Sequence, residues 1–146
     1  MGYVTIVFTR RRAIGSALLR AWMHSRFSHC ALVDRNTGTI IEAALSGGVR
    51  ERPLAALLDE ASYHEFVRIP ARDPASVLAS ARAQIGKPYD WRGVLGFWLR
   101  RDWQDSDAFL CSELVAFALH DAGQPAFRRE AWRVSPENLY LPRFDR

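Results

Sequence analysis

Hydrophobic and polar positions divide the chain into segments of two periods. The most regular helical one runs from Cys111, where Cys111, Leu114, Val115, Ala118, Leu119 and Ala122 recur on one face and Gly123 supplies a left-handed stop. Tyr3 to Thr9 is β-branched and aromatic and predicts a first strand; Ala13 to His24 follows as a helix with Ile14, Leu18, Ala21 and Trp22 in phase. Phe27 to Val33 alternates, with Phe27, His29, Ala31 and Val33 on one face and Ser28, Cys30 and Leu32 on the other. Asp34 to Gly38 is dense in turn formers and Thr39 to Leu45 resumes a strand, so the pair predicts a hairpin. Ser46-Gly47-Gly48 reads as a turn, Pro53 to Glu60 as a short helix opened by proline, Tyr63 to Ile69 as a strand, and Pro74 to Ile85 as a helix ended by Gly86-Lys87-Pro88. From Trp91 to Trp103 the chain is apolar on all sides, which predicts a buried segment or the wall of a groove, and Val134 to Leu139 predicts a last capped turn.

No repeat, linker or low-complexity tract interrupts this order, so residues 1–146 are expected to form one domain. Apolar residues at 49% and charged ones at 25% leave no basis for disorder. The net charge of +4 comes almost wholly from arginine, and only Arg10-Arg11-Arg12 forms a run, between a strand and a helix; nucleic acid is not an expected partner. Two cysteines without a C-x-x-C pair exclude a zinc ribbon and argue against a disulfide framework. Tyr3 to Phe8 is too short for a signal-peptide core, and no run approaches the ~18 apolar residues of a membrane span. The expectation is a cytoplasmic protein, with signal-less export left open and the oligomeric state undetermined.

Cys111 at the head of its helix is the candidate nucleophile, because the unpaired N–H groups and partial positive charge of a first turn favour a thiolate. The same position suits a cysteine that only packs as a small hydrophobe. A base must decide between them. His120 lies about half a revolution from Cys111 on the same helix, His24 has no carboxylate at a fixed spacing, and Glu65 beside His64 points to the opposite strand face. His29 remains. Centring the hairpin turn on Arg35-Asn36 sets Glu42 opposite His29 on one face, close enough to orient the imidazole. A metal site of His29, Cys30 and Cys111 is disfavoured because adjacent strand residues diverge, so no metal and no cofactor are expected.

The order Ser28-His29-Cys30-Ala31-Leu32-Val33, Glu42-Ala43, Gly47-Gly48-Val49, Gly86-Lys87-Pro88-Tyr89-Asp90 and Cys111-Ser112-Glu113-Leu114-Val115 resembles the circularly permuted branch of the NlpC-type papain-like cysteine peptidases, the YiiX-like proteins related to lecithin:retinol acyltransferase. The resemblance spans roughly Phe27 to Val115 and fits the Ser135-Pro136-Glu137-Asn138-Leu139 ending. It implies an α+β fold, an antiparallel sheet packed against helices with the nucleophile at a helix N-terminus. It also implies Cys111 as nucleophile, His29 as general base, Glu42 as the orienting residue and Tyr89 as part of the oxyanion pocket. Gly47, Gly48, Trp91 and Trp98 are the expected substrate-binding residues, the tryptophans because their apolar segment directly precedes the nucleophile.

The chemistry implied is cleavage of an amide or ester through a thioester, with a peptide, a cell-wall peptide or an acylated amine as substrate. The aromatic segment between Tyr89 and Cys111 is longer than in the ordinary branch, which argues against a plain cell-wall peptide. Two other readings stand beside it. One is an acyltransferase on lipid-like substrates; the other is a non-catalytic binding domain on the same fold.

Overall fold

The computed structural model describes residues 2–11, 27–44, 46–88 and 111–123, with Arg11 as backbone only. Within them, five strands form one antiparallel sheet: β1 (Gly2–Arg11), β2 (His29–Asp34), β3 (Thr39–Ala44), β4 (Gly48–Pro53) and β5 (Ala61–Ala71), in the spatial order β4-β3-β2-β1-β5. Three helices accompany it: α1 (Leu54–Glu60), α2 (Pro74–Arg82) and α3 (Cys111–Asp121). The expected helix over 13–24, the segment 91–103 and the ending at 134–139 lie outside the described residues.

The inner strands are apolar on both sides because both sides are covered. Val4, Ile6, Phe8, Cys30, Leu32, Ile41 and Ala43 pack with Leu114, Val115, Ala118 and Leu119 of α3 and Val77 and Ala81 of α2. Val7, Ala31, Val33 and Ile40 pack on the opposite face with Leu57 of α1. α3 is buried beyond its expected stripe, since Ser112, Glu113 and Ala116 are also inside. Each aliphatic side chain so buried contributes about 1.5–3 kcal/mol. Asp73 caps α2 by accepting from the Ser76 N–H at 3.2 Å, and Pro74 stands where a helix needs no N–H. α2 stops at Arg82 rather than Ile85, because residues 83–86 turn away through Gly86 at φ 97°.

Two further differences from the sequence expectation lie in the β2–β3 turn and in β4. The β2–β3 turn uses four residues, Arg35 to Gly38, closed by a bond from the Gly38 N–H to the Asp34 carbonyl (2.9 Å), while the Asp34 carboxylate accepts from the Asn36 N–H (2.9 Å). The register is therefore Asp34↔Thr39, Val33↔Ile40 and Leu32↔Ile41. Continued down the strands, it places Glu42 one diagonal away from His29 and not directly opposite. A two-residue slip preserves the face, so both still point the same way. The second difference is β4, which occupies the stretch between the expected turn at Ser46-Gly47-Gly48 and the expected helix start at Pro53, where the residue pattern predicts no element. Gly-Val-Arg-Glu-Arg-Pro lacks the apolar content of a strand, yet it pairs along β3 from Ala44↔Gly48 to Thr39↔Pro53.

Candidate active site

The site forms at the end of the sheet where β2 begins, β3 ends and β4 begins. His29 opens β2, and Thr9 of β1 stands directly across from it. Its Nε2 meets Glu42 Oε2 at 2.6 Å. The other ring nitrogen, Nδ1, is left free of Glu42, and Cys111 stands near enough to His29 to be among the groups that raise its pKa. Cys111 is the first residue of α3, and the packing of that helix on β2 and α2 brings it to this end of the sheet. Adjacent strand residues diverge along most of a strand, but Cys111 touches both His29 and Cys30, the latter through side chain and backbone.

Glu42 has no exposed side-chain surface and is held from two sides. Its Oε1 accepts from Arg50 Nε at 3.0 Å and from Arg52 Nε at 2.6 Å, and Arg52 continues to Glu60 of α1 at 2.9 and 3.1 Å. Sequence reasoning missed both arginines because β4 was missed. The available signal was parity: Arg50 and Arg52 alternate within a short run and share a face with Glu42 once β4 pairs with β3.

Burial alone would lower the His29 pKa, but its bonds to Cys111 and Glu42 and their negative charges outweigh this and push it up to about 9. Burial works against ionisation of Glu42 as well, yet the bonds and positive charges of His29 and Arg52 bring its carboxyl down to about 2. Cys111 is held well below an ordinary thiol by the bond from Cys30 and then, against the cost of burial, by the bond and charge of His29. Cys30 is pushed above an ordinary thiol by the Cys111 sulfur and by burial. The favoured charge state is therefore a Cys111 thiolate beside a His29 imidazolium, with Cys30 protonated.

The other candidates fall as follows. Gly47 is exposed at φ 99°, where an added Cβ would lie 3.5 Å from Arg50 Nη1. Gly48 is buried at φ 65°, and a Cβ there would be 2.2 Å from the Lys87 carbonyl oxygen. That close approach belongs to the bonds from the Val49 N–H to Lys87 O (2.8 Å) and from the Gly86 N–H to Val49 O (3.0 Å), so Gly48 has a backbone reason to be glycine. Tyr89, Trp91 and Trp98 lie outside the described residues. His64 and His120 are exposed, on β5 and on α3.

No protein-family profile and no curated protein matches the sequence. Among solved structures, the fold is similar to the crystal structure of the metalloprotein YiiX from Escherichia coli O157:H7, at a TM-score of 0.64 and 25% identity, over 85% of this chain and 68% of that one. The mixed α/β architecture with a five-stranded antiparallel sheet is thus a YiiX-like fold. Among the described residues no helix is long and apolar enough to cross a membrane.

Proposed function

We propose that this chain is a thiol hydrolase of the circularly permuted papain-like kind, in which the histidine strand precedes the cysteine helix. Cys111 attacks a carbonyl carbon as thiolate, and His29, as imidazolium, gives its proton to the departing amine or alcohol. The resulting thioester is opened by water, with His29 accepting the water proton. Glu42 keeps Nε2 engaged, so Nδ1 stays aimed at the sulfur and the imidazolium stays charged. The observation that carries this reading is the imidazole of His29 shared between a buried carboxylate and the Cys111 sulfur.

YiiX is described as a metalloprotein. Among the described residues of this chain no group of three or more His, Cys, Asp or Glu is placed to hold an ion, and His29 Nε2 is engaged by Glu42.

Whether water or another acceptor opens the thioester separates hydrolase from acyltransferase. Intact-mass detection of an acyl adduct after exposure to a panel of activated acyl esters and aminoacyl amides tests the reading. Wild type should gain the acyl mass and Cys111→Ser should not. An adduct that persists in Cys111→Ser would overturn the assignment.

A further inference from the structure

The proposed hydrolysis has no step for Cys30, the other thiol of the chain. It comes from β2 and Cys111 from α3; α3 docks on β2, both cysteines lie in one core cluster, neither is in a disulfide, and the two are close enough that each is the leading influence on the other's ionisation. The two differ in access. Cys111 keeps 6% of its surface open and Cys30 none, so an oxidant from solution meets Cys111 first.

We propose that Cys30 is a resolving cysteine, which converts Cys111 oxidised by a hydroperoxide into a reversible Cys30–Cys111 disulfide. The inference rests on Cys111 being the reactive thiolate proposed above. In the first step the Cys111 thiolate attacks the nearer peroxide oxygen and the O–O bond breaks, giving Cys111 sulfenic acid and an alkoxide that takes the His29 proton. In the second, the Cys30 sulfur attacks the sulfenic sulfur; the S–O bond breaks, and hydroxide leaves with the Cys30 proton as water. Two electrons pass from the two sulfurs to the peroxide. The elevated pKa of Cys30 keeps it a thiol at rest, so it donates a hydrogen bond to Cys111 instead of competing for the oxidant. Without Cys30, Cys111 sulfenic acid has no thiol within the chain to meet and proceeds to the sulfinic acid, which thiol reductants do not reverse. The contact therefore protects the nucleophile while switching it off.

The test exposes the whole chain to hydrogen peroxide, then to dithiothreitol, and reads iodoacetamide labelling of Cys111 and the tryptic peptides 27–35 and 102–128, which carry one cysteine each. Wild type should lose labelling, yield the two peptides linked and lighter by two hydrogens, and regain labelling with dithiothreitol. Cys30→Ala, compared with its own untreated sample, should gain two or three oxygens on 102–128 and lose that recovery. Unlinked, oxygenated peptides from wild type would overturn the inference, whether or not the variant folds, and so would equal recovery in the two proteins. If untreated Cys111 takes up neither iodoacetamide nor oxygen, the thiolate reading itself fails and the inference with it.

Discussion

The β3–β4 hairpin carries a carboxylate–guanidinium cluster on each of its two faces, built from the same residue types. On one face Glu42 joins His29, Arg50 and Arg52; on the other Glu51 joins Thr39 and Arg82, and Arg82 reaches on to Asp34. The second cluster is open to water, with the Glu51 side chain 27% and that of Arg82 34% exposed, whereas the Glu42 side chain is wholly buried. It ties α2 to the hairpin and ends there. The first ends on the imidazole of His29, whose other neighbour is Cys111. Charge pairing alone therefore marks no site; what distinguishes the Glu42 cluster is full burial plus a titratable group at its end.

The largest expected effect comes from neutralising each acid in turn. Glu42→Gln should lower kcat/KM by about 10²- to 10⁴-fold on any substrate the acyl panel identifies, because His29 loses its orienting charge. It should also cost about 1–3 kcal/mol in urea unfolding, since the charge-assisted bonds of His29 and Arg52 to the buried carboxylate are weakened while Arg52 keeps Glu60. Glu51→Gln should leave kcat/KM at the wild-type level. Equal losses of activity in the two variants would erase the distinction between the faces.

The comparison also predicts how pH acts. Level kcat/KM is expected from the depressed pKa of Cys111 up to about 9, where His29 loses its proton, and Glu42→Gln should bring that alkaline limb down. For stability the sign follows from Glu42, whose pKa falls on folding: its contribution is complete above the ordinary value of 4.5 and is lost as pH drops from there toward 2. Denaturation midpoints between those pH values should decline more steeply in wild type than in Glu42→Gln. Parallel slopes would show that Glu42 is not held as described.

The smallest effect belongs to Arg82→Ala. Its partly exposed bridges contribute up to about 1 kcal/mol each, so a small drop in unfolding free energy with unchanged kcat/KM is expected. A loss of activity comparable to that of Glu42→Gln would mean that α2 supports the site through Arg82.

Much of this arrangement is legible in the residue pattern, for identifiable reasons. The β2 alternation and the α3 stripe are set by burial, which leaves a period in the sequence. The common face of His29 and Glu42 is legible by parity even though the assumed turn is too short, because the slip is by two residues. Arg50 and Arg52 are not legible, since a strand whose inward positions carry guanidinium groups looks polar until its partner Glu42 is known. The contact between Cys30 and Cys111 is hidden for another reason: alternation separates His29 from Cys30, and only the docking of α3 at the start of β2 brings both to one sulfur.

The central claim, that Cys30 and His29 together hold Cys111 as a thiolate, is tested most directly by the pH dependence of iodoacetamide alkylation, followed separately on the peptides bearing Cys111 and Cys30. The Cys111 rate should rise with an apparent pKa well below that of a free thiol and should shift upward in His29→Ala, while Cys30 stays unlabelled in the folded protein. An apparent pKa for Cys111 at or above the free-thiol value, or an equal rate for Cys30, would contradict it.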